Sequence, residues 1–277
     1  MNILAISSQV VMGHVGNSAA QFVLQVLGHD VWAVPTTVLS HHPGHGAPAG
    51  RATPADALDA LLTNLQQGGW LAKIDAVMTG YFTGSAQIEV AARHIRALTA
   101  VRRDMPVLVD PVIGDGDARG GRIYVAEEVH EAIRAELVPL ATIITPNVFE
   151  LAHLCGYDGP RTRHWAIDAA RALGVAEVLV TSAPGAQAGS HSAAIANLAI
   201  TAQHLSTHAT PCAAAVPHGV GDVTAACYFG NRLNGVAVDA AAAAATTTVA
   251  ALIERAHTSP TADLPLIAGR HLIVDAS

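Results

Sequence analysis

Lysine is almost missing from this chain: of fifteen Lys and Arg residues only Lys73 is a lysine. The phosphate-loop signature GxxxxGK[ST] is absent with it, so any phosphate chemistry must rest on backbone N–H groups, a metal ion and arginine. An enzyme that forms an aldehyde–lysine linkage would depend on Lys73 alone, which stands just before an apolar strand pattern. Cysteine is scarce too. Cys155, Cys212 and Cys227 are odd in number and widely spaced, which excludes a disulfide or zinc framework. Charged residues make up 13% and aromatics 4%. The formal net charge is −7 and no Lys/Arg cluster stands out, so no nucleic-acid partner is expected. No apolar run reaches the ~18 residues of a membrane span and no signal-peptide pattern precedes the strand-like start, so no membrane partner and a cytoplasmic location are expected.

What is present is an alternation of short apolar runs and longer amphipathic stretches, in a chain that is 51% hydrophobic. Strands are expected at 2–7, 31–39, 75–79, 106–109, 141–145 and 177–181, with helices at 18–27, 53–68, 85–103, 126–135, 148–154 and 165–173 between them. Thr53-Pro54 reads as a cap followed by an N1 proline. Stretches 195–200 and 203–207 are expected to pair as an antiparallel edge hairpin. Two helices then follow, 221–233 and 238–256, the second carrying the alanine run 240–245. The pattern predicts one α/β domain over residues 1–277: a mostly parallel central sheet with helices on both faces and a small antiparallel edge. Such sheets bind ligands outside the carboxyl ends of their strands. Ser7-Ser8-Gln9, Gly80-Tyr81, Asp110, Thr145-Pro146-Asn147 and Thr181-Ser182 all fall there.

The stretch Pro217-His218-Gly219-Val220-Gly221-Asp222 carries the most chemistry. Glycines at a helix start let backbone N–H groups converge on an anion, and the helix dipole adds to this. A carboxylate beside that cradle suits a base taking a hydroxyl proton as a phosphoryl group arrives, though the same aspartate would also cap an ordinary helix. Asp110, Asp115 and Asp117 follow a buried strand within eight residues. Carboxylates there fit either Mg²⁺ held near phosphates or a solvated acidic turn, and a twelve-residue calcium loop fails at its closing glutamate. Asn147 and Glu150 have the spacing of a capping box and also of a contact to metal-bound water. The loop from Ser8 to Asn17 lacks GxGxxG and no acid closes the second strand, which excludes a dinucleotide-binding fingerprint. Ser40-His41-His42-Pro43-Gly44-His45-Gly46 reads as a mobile loop over a pocket rather than a metal site, since no thiolate or carboxylate is near in sequence.

Taken in order, Ser8-Gln9-Val10, Gly13, Gly16-Asn17, Gly80-Tyr81, Asp110-Pro111-Val112-Ile113-Gly114-Asp115, Thr145-Pro146-Asn147, Glu150 and Gly219-Val220-Gly221-Asp222 resemble the pyridoxal kinases of the ribokinase superfamily. The resemblance runs from residue 2 to about 255. It implies a ribokinase-like three-layer sandwich, usually a homodimer, that moves the γ-phosphoryl of ATP to the 5′-hydroxymethyl of pyridoxal with Mg²⁺ and often a monovalent cation. Asp222 then matches the catalytic base, and Gly219, Val220 and Gly221 the anion hole. Ser8, Pro43, Gly44 and Tyr81 match the substrate pocket. Asp110, Asp115, Tyr124, Thr145, Asn147, Glu150, Thr181 and Ser182 match the ATP side, with Asp110, Asp115 and Glu150 around the metal. Several positions depart from the family pattern: Gln9 replaces a histidine, Pro43 and His45 replace threonine and tyrosine of the lid loop, Val109 replaces a cysteine, and His218 sits close to the base. Val220 replaces the threonine of the wider superfamily, although pyridoxal kinases also use valine there. A hydroxymethylpyrimidine kinase with the same chemistry, and a vitamer-binding protein without turnover, are the alternatives.

Overall fold

Strand alternation decides the architecture. In β1 (Asn2–Val10) Leu4 and Ile6 join the core on one face of the sheet, Ile3 and Ala5 the core on the other, and all four are buried. β4 (Ala76–Thr79), β5 (Val107–Val109), β8 (Ile143–Ile144) and β9 (Glu177–Pro184) repeat the division. Val77, Val107, Val109, Ile144, Val178 and Val180 lie with Leu4; Met78, Leu108, Ile143 and Leu179 lie with Ile3. A strand apolar on both faces needs cover on both. On the Ile3 face that cover is α1 (Asn17–Val26), α7 (Val220–Leu233) and α8 (Val238–His257), where Ala241, Ala242, Ala244 and Ala245 are buried as a small-residue helix face. On the Leu4 face it is α2 (Ala55–Gln67), α3 (Ser85–Val101), α4 (Glu127–Ala132), α5 (Val148–Leu154) and α6 (Arg163–Ala172).

The computed structural model describes residues 1–117, 120–185, 194–213, 215–257 and 263–275. With β2 (Asp30–Leu39), β3 (Gly50–Ala52), β10 (Ala194–Thr201) and β11 (Leu205–Pro211), the sheet runs in the order β11-β10-β9-β8-β5-β4-β1-β2-β3. The strands from β9 to β2 in this order are parallel, while β3 at one edge and β10 with β11 at the other are antiparallel. β6 (Gly114–Asp117) and β7 (Gly120–Ile123) form a separate antiparallel pair. This is the expected three-layer α/β sandwich with an antiparallel edge.

The differences from expectation are local. β1 runs three residues past Ser7, crossing a bulge in which its register against β2 shifts between Ser7 and Gln9. The acidic segment after β5 is the β6–β7 hairpin rather than a bare turn. Thr53 does not cap α2: its hydroxyl donates to the Pro35 carbonyl (2.7 Å), and the helix starts at Ala55 with Pro54 in the cap position. A competing backbone acceptor on β2 takes the hydroxyl that the cap would have used. Helix α4 ends at Ala132, and the rest of the expected stretch winds into a π turn (Ile133–Leu137). β11 lies two residues later than expected and extends to Pro211.

Candidate active site

The carboxyl ends of β1, β4 and β5 meet the start of α7. Tyr81, just past β4, donates its backbone N–H to the Ser7 hydroxyl (3.1 Å), and a Cβ on Gly80 would sit 2.5 Å from the same oxygen. Gly80 is therefore what lets the two strand ends close up. Ser8, at the bulge, is packed against Gly16 in the same way. A Cβ on Gly16 would overlap both the hydroxyl and the carbonyl of Ser8, and Gly16 has φ 54°. Ser7, Asn17, Met78, Gly80, Asp110 and Asp222 line a small cavity between these elements.

Gly219 precedes α7 in the left-handed region (φ 88°), and a Cβ there would overlap the His14 carbonyl. Two independent demands thus require glycine at 219. Gly221 is different: it lies within the helix, and a Cβ would meet open space. A side chain at 221 would fill the space in front of the helix rather than distort the turn. Asp222 stands in the first turn of α7 and accepts backbone N–H donors from Gly16 and from its own residue. Burial outweighs those donors and pushes its carboxyl up to about 6.

Asp110 is buried and accepts a hydrogen bond from the Thr145 hydroxyl (2.8 Å). Burial, then the charge of Asp222, raises its carboxyl to about 7. Glu150 is buried too. Its Oε1 accepts the N–H groups of Ile113 (3.0 Å) and Gly114 (3.3 Å), and its Oε2 that of Asn147 (2.9 Å). Asn147 in turn accepts from the N–H groups of Phe149 and Glu150, so the capping box is complete. Even with three donors, burial and the neighbouring Asp110 hold Glu150 above the usual carboxylate range. Mutually repelling buried carboxylates of this kind favour a bound cation. Among the described residues no three His, Cys, Asp or Glu side chains converge to cage one. Asp110 and Glu150 are the side chains here that could hold a cation such as Mg²⁺, which keeps waters and takes one or two carboxylates plus phosphate oxygens.

The remaining candidates form two flanks. Asp115 on β6 is exposed and accepts a hydrogen bond from Tyr124, whose hydroxyl is pushed up to about 12 by burial and then by the Asp115 charge. Asp115 is thus tied into the hairpin flank with Tyr124. Thr181 lies beside Asn147 and donates its N–H to the Pro146 carbonyl (2.9 Å). Ser182 is the one non-glycine with positive φ (55°) among the described residues, and the register of β9 against β10 slips at this point. A bulge with a strained residue at a strand end is a feature of functional rims. On the other flank, the turn Pro43–His45 is exposed, and Tyr81 is half-buried with its hydroxyl raised by burial.

Sequence reasoning assigned a site role to Ser8 and named Ser7 and Asn17 only as parts of motifs. Asn17 is fully buried and donates to the carbonyls of Ser7 (3.0 Å) and Val34 (3.2 Å), while its Oδ1 has no partner among the described residues. Its position immediately after Gly16 is the only signal a sequence reader has. A separate open groove of about 420 Å³ between α2 and α3, lined by Asp56, Asp59, Glu89 and Arg93 among others, includes none of the candidate residues.

A nine-stranded α/β sandwich with a glycine turn and an aspartate at the helix start after its antiparallel edge defines the ribokinase-like class of phosphotransferases. The chain belongs to the phosphomethylpyrimidine kinase family, whose model matches residues 37–266. It is 35% identical to pyridoxal kinase PdxY of Corynebacterium diphtheriae, over 99% of this chain and 95% of the relative. To the pyridoxine/pyridoxal/pyridoxamine kinase of Bordetella bronchiseptica it is 39% identical, over 97% and 94%. Among solved structures, pyridoxal kinase from Leishmania donovani in complex with ADP and pyridoxamine superposes with TM-score 0.86 at 27% identity, over 99% of this chain and 95% of that one. Pyridoxal kinase from Entamoeba histolytica gives 0.89 at 24% identity, over 100% and 96%, and speaks to the fold alone.

Proposed function

We propose that this chain, as one kinase domain, moves the γ-phosphoryl group of ATP to the 5′-hydroxymethyl group of pyridoxal and related B6 vitamers. The observation that carries the mechanism is Asp222 at the first turn of α7, beside the Gly219 turn, with its carboxyl pushed up to about 6. A base with a value close to the working pH is charged enough to accept a proton and basic enough to want it. Asp222 takes the proton of the attacking hydroxyl. The N–H groups at Gly219, Val220 and Gly221, aided by the helix dipole, face the charge on the transferred phosphoryl. Ser8, Tyr81 and the lid residues Pro43 and Gly44 hold the vitamer ring, placing its hydroxymethyl arm in line.

On the nucleotide side Thr145, Asn147, Thr181, Ser182, Asp115 and Tyr124 border the triphosphate, and backbone donors with Mg²⁺ stand in for the missing lysine. Asp110, Glu150 and the exposed Asp115 are the residues that would hold Mg²⁺. The ion supplies charge neutralisation of the phosphates. A monovalent cation and a homodimer, which rest on the family resemblance, and a cytoplasmic location complete the reading. Among the described residues no helix is long and apolar enough to cross a membrane.

The test is ADP release from ATP and Mg²⁺ with pyridoxal, pyridoxine, pyridoxamine and hydroxymethylpyrimidine, run beside Asp222→Ala. Turnover with a vitamer that collapses in the variant supports both reaction and base. Turnover with hydroxymethylpyrimidine alone keeps the mechanism and changes the substrate. Vitamer binding with no turnover would make the chain a binding protein.

A further inference from the structure

Four imidazole and carboxylate side chains from three separate segments meet above the anion-hole turn. His42 caps the lid turn Pro43–His45 and His45 is its last residue; His218 immediately precedes Gly219; Asp263 lies beyond α8. The His42 and His218 rings lie with centroids 4.1 Å apart, and His45 stands edge-on to His218 at 5.4 Å. The His45 Nε2–H donates to Asp263 Oδ1 (2.8 Å), and Asp263 runs in a parallel bridge beside His218. The lid backbone is pressed onto the same ring, because a Cβ on Gly44 would overlap the His218 Nε2. The lid thus rests on the residue adjoining the anion hole.

We propose that His42 and His218 form a proton-sensitive latch that holds the lid turn against the anion-hole turn, closed when the imidazoles are neutral and released when they charge. This inference rests on the function proposed above, and His218 acts in it as a positioning residue. Two features of the geometry make protonation disruptive. First, the His42 Nδ1 accepts the Gly44 N–H (3.1 Å), the cap of the lid turn. A protonated imidazole carries N–H on both nitrogens, so it can no longer accept that bond. Second, the groups facing His42 are His218, His45 and Asp263: two like-charge candidates against one carboxylate that is already engaged by His45. His41 lies one ring further out, with its centroid 6.3 Å from His45. Burial, followed by the His218 and His45 charges, lowers the His42 value from its ordinary 6.5, with Asp263 opposing. The closed lid therefore binds protons less readily than the open one. Closure is at full strength above about 6.5 and weakens as pH falls below that.

The experiment measures pyridoxal affinity without ATP, by fluorescence titration, together with the vitamer KM and kcat, from pH 8 to pH 5.5. It compares the unaltered protein, His42→Asn and His218→Phe. Asparagine keeps an acceptor for the Gly44 N–H, and phenylalanine keeps the ring contact; neither can charge. The vitamer's own titration is common to all three, so the difference between proteins is what counts. A several-fold weakening of vitamer affinity toward pH 5.5 in the unaltered protein, flattened in both variants while the ATP KM stays put, is expected. Equal pH dependence in all three, or no weakening at all, overturns the latch. Protonation of Asp222 reads separately in kcat, and absence of turnover at every pH would count against the proposed function and not against the latch. As a geometric check, Gly44→Ala should weaken vitamer binding, and much less so when His218→Ala is also present. Additive effects would show that lid and ring do not meet.

Discussion

The site has a deep end and a shallow end, and they are built differently. At the deep end Asp110, Glu150 and Asp222 sit where buried strands and helix starts leave them, each held by donors from rigid elements: the Thr145 hydroxyl, three backbone N–H groups, and the Gly16 N–H. At the shallow end the lid is held by side chains on loops, His42, His45, His218 and Asp263. Burial perturbs titration at both, but in opposite senses: carboxyls move up and the His42 imidazole moves down, because in each case the charged form loses water. The deep end thus stores unfavourable charge that a cation can relieve. The shallow end is stable when uncharged and opens when charged.

The sharpest break in this comparison is Asp222→Ala. It should cost about a hundredfold or more in kcat, as loss of a general base does, with ATP binding largely kept. Near-normal turnover would remove Asp222 from its role. In the unaltered protein kcat should fall as pH drops through about 6, where the Asp222 carboxyl takes up its proton. Gly219→Ala comes next. It places a Cβ at φ 88° and into the His14 carbonyl, so steady-state kinetics should show a loss of about a hundredfold, the size expected when an anion-hole donor is displaced. Gly221→Ala, which meets open space, should be milder; the reverse ranking would misplace the cradle.

Asp110→Asn probes the stored charge. The folded value near 7 exceeds the ordinary 3.8, so the buried carboxyl costs nothing below about 4 and costs most above about 7. The ligand-free variant should melt a few degrees higher at pH 8, with the gain gone near pH 4, while Mg²⁺-dependent turnover drops. A lower melting temperature at pH 8 would mean that the carboxylate is not strained there. The smallest effect is expected from Ser182→Gly. Relieving φ 55° should stabilise the chain by about 1 kcal/mol, seen by calorimetry, with a higher ATP KM if the hydroxyl faces the nucleotide. No gain in stability would mean that the conformation carries no strain.

Much of the sandwich could be read ahead of the structure, because the alternation of Leu4 and Ile6 with Ile3 and Ala5, and its echoes in β5 and β9, is a local property of the chain. The capping box at Asn147 and Glu150 was equally legible, since it spans only three residues. Thr53 was misread because its hydroxyl is captured by a strand eighteen residues away, which no local pattern records. Asp110, Asp222 and the glycines were picked out one motif at a time. That the charge of Asp222 raises the affinity of Asp110 for its proton depends on their being brought together across more than a hundred residues.

The sequence by itself determined the layering, the lack of a lysine for phosphate, the glycine turn and the aspartate behind it, because period, composition and turn chemistry act over a few residues. Only the tertiary structure decided which carboxyls are driven up, that Gly219 rather than Gly221 is forced, and that His42, His45, His218 and Asp263 meet over the turn. Those outcomes depend on desolvation and on contacts between segments far apart in the chain, and the free energy of a buried charge or a close approach exists only once the fold has closed around it.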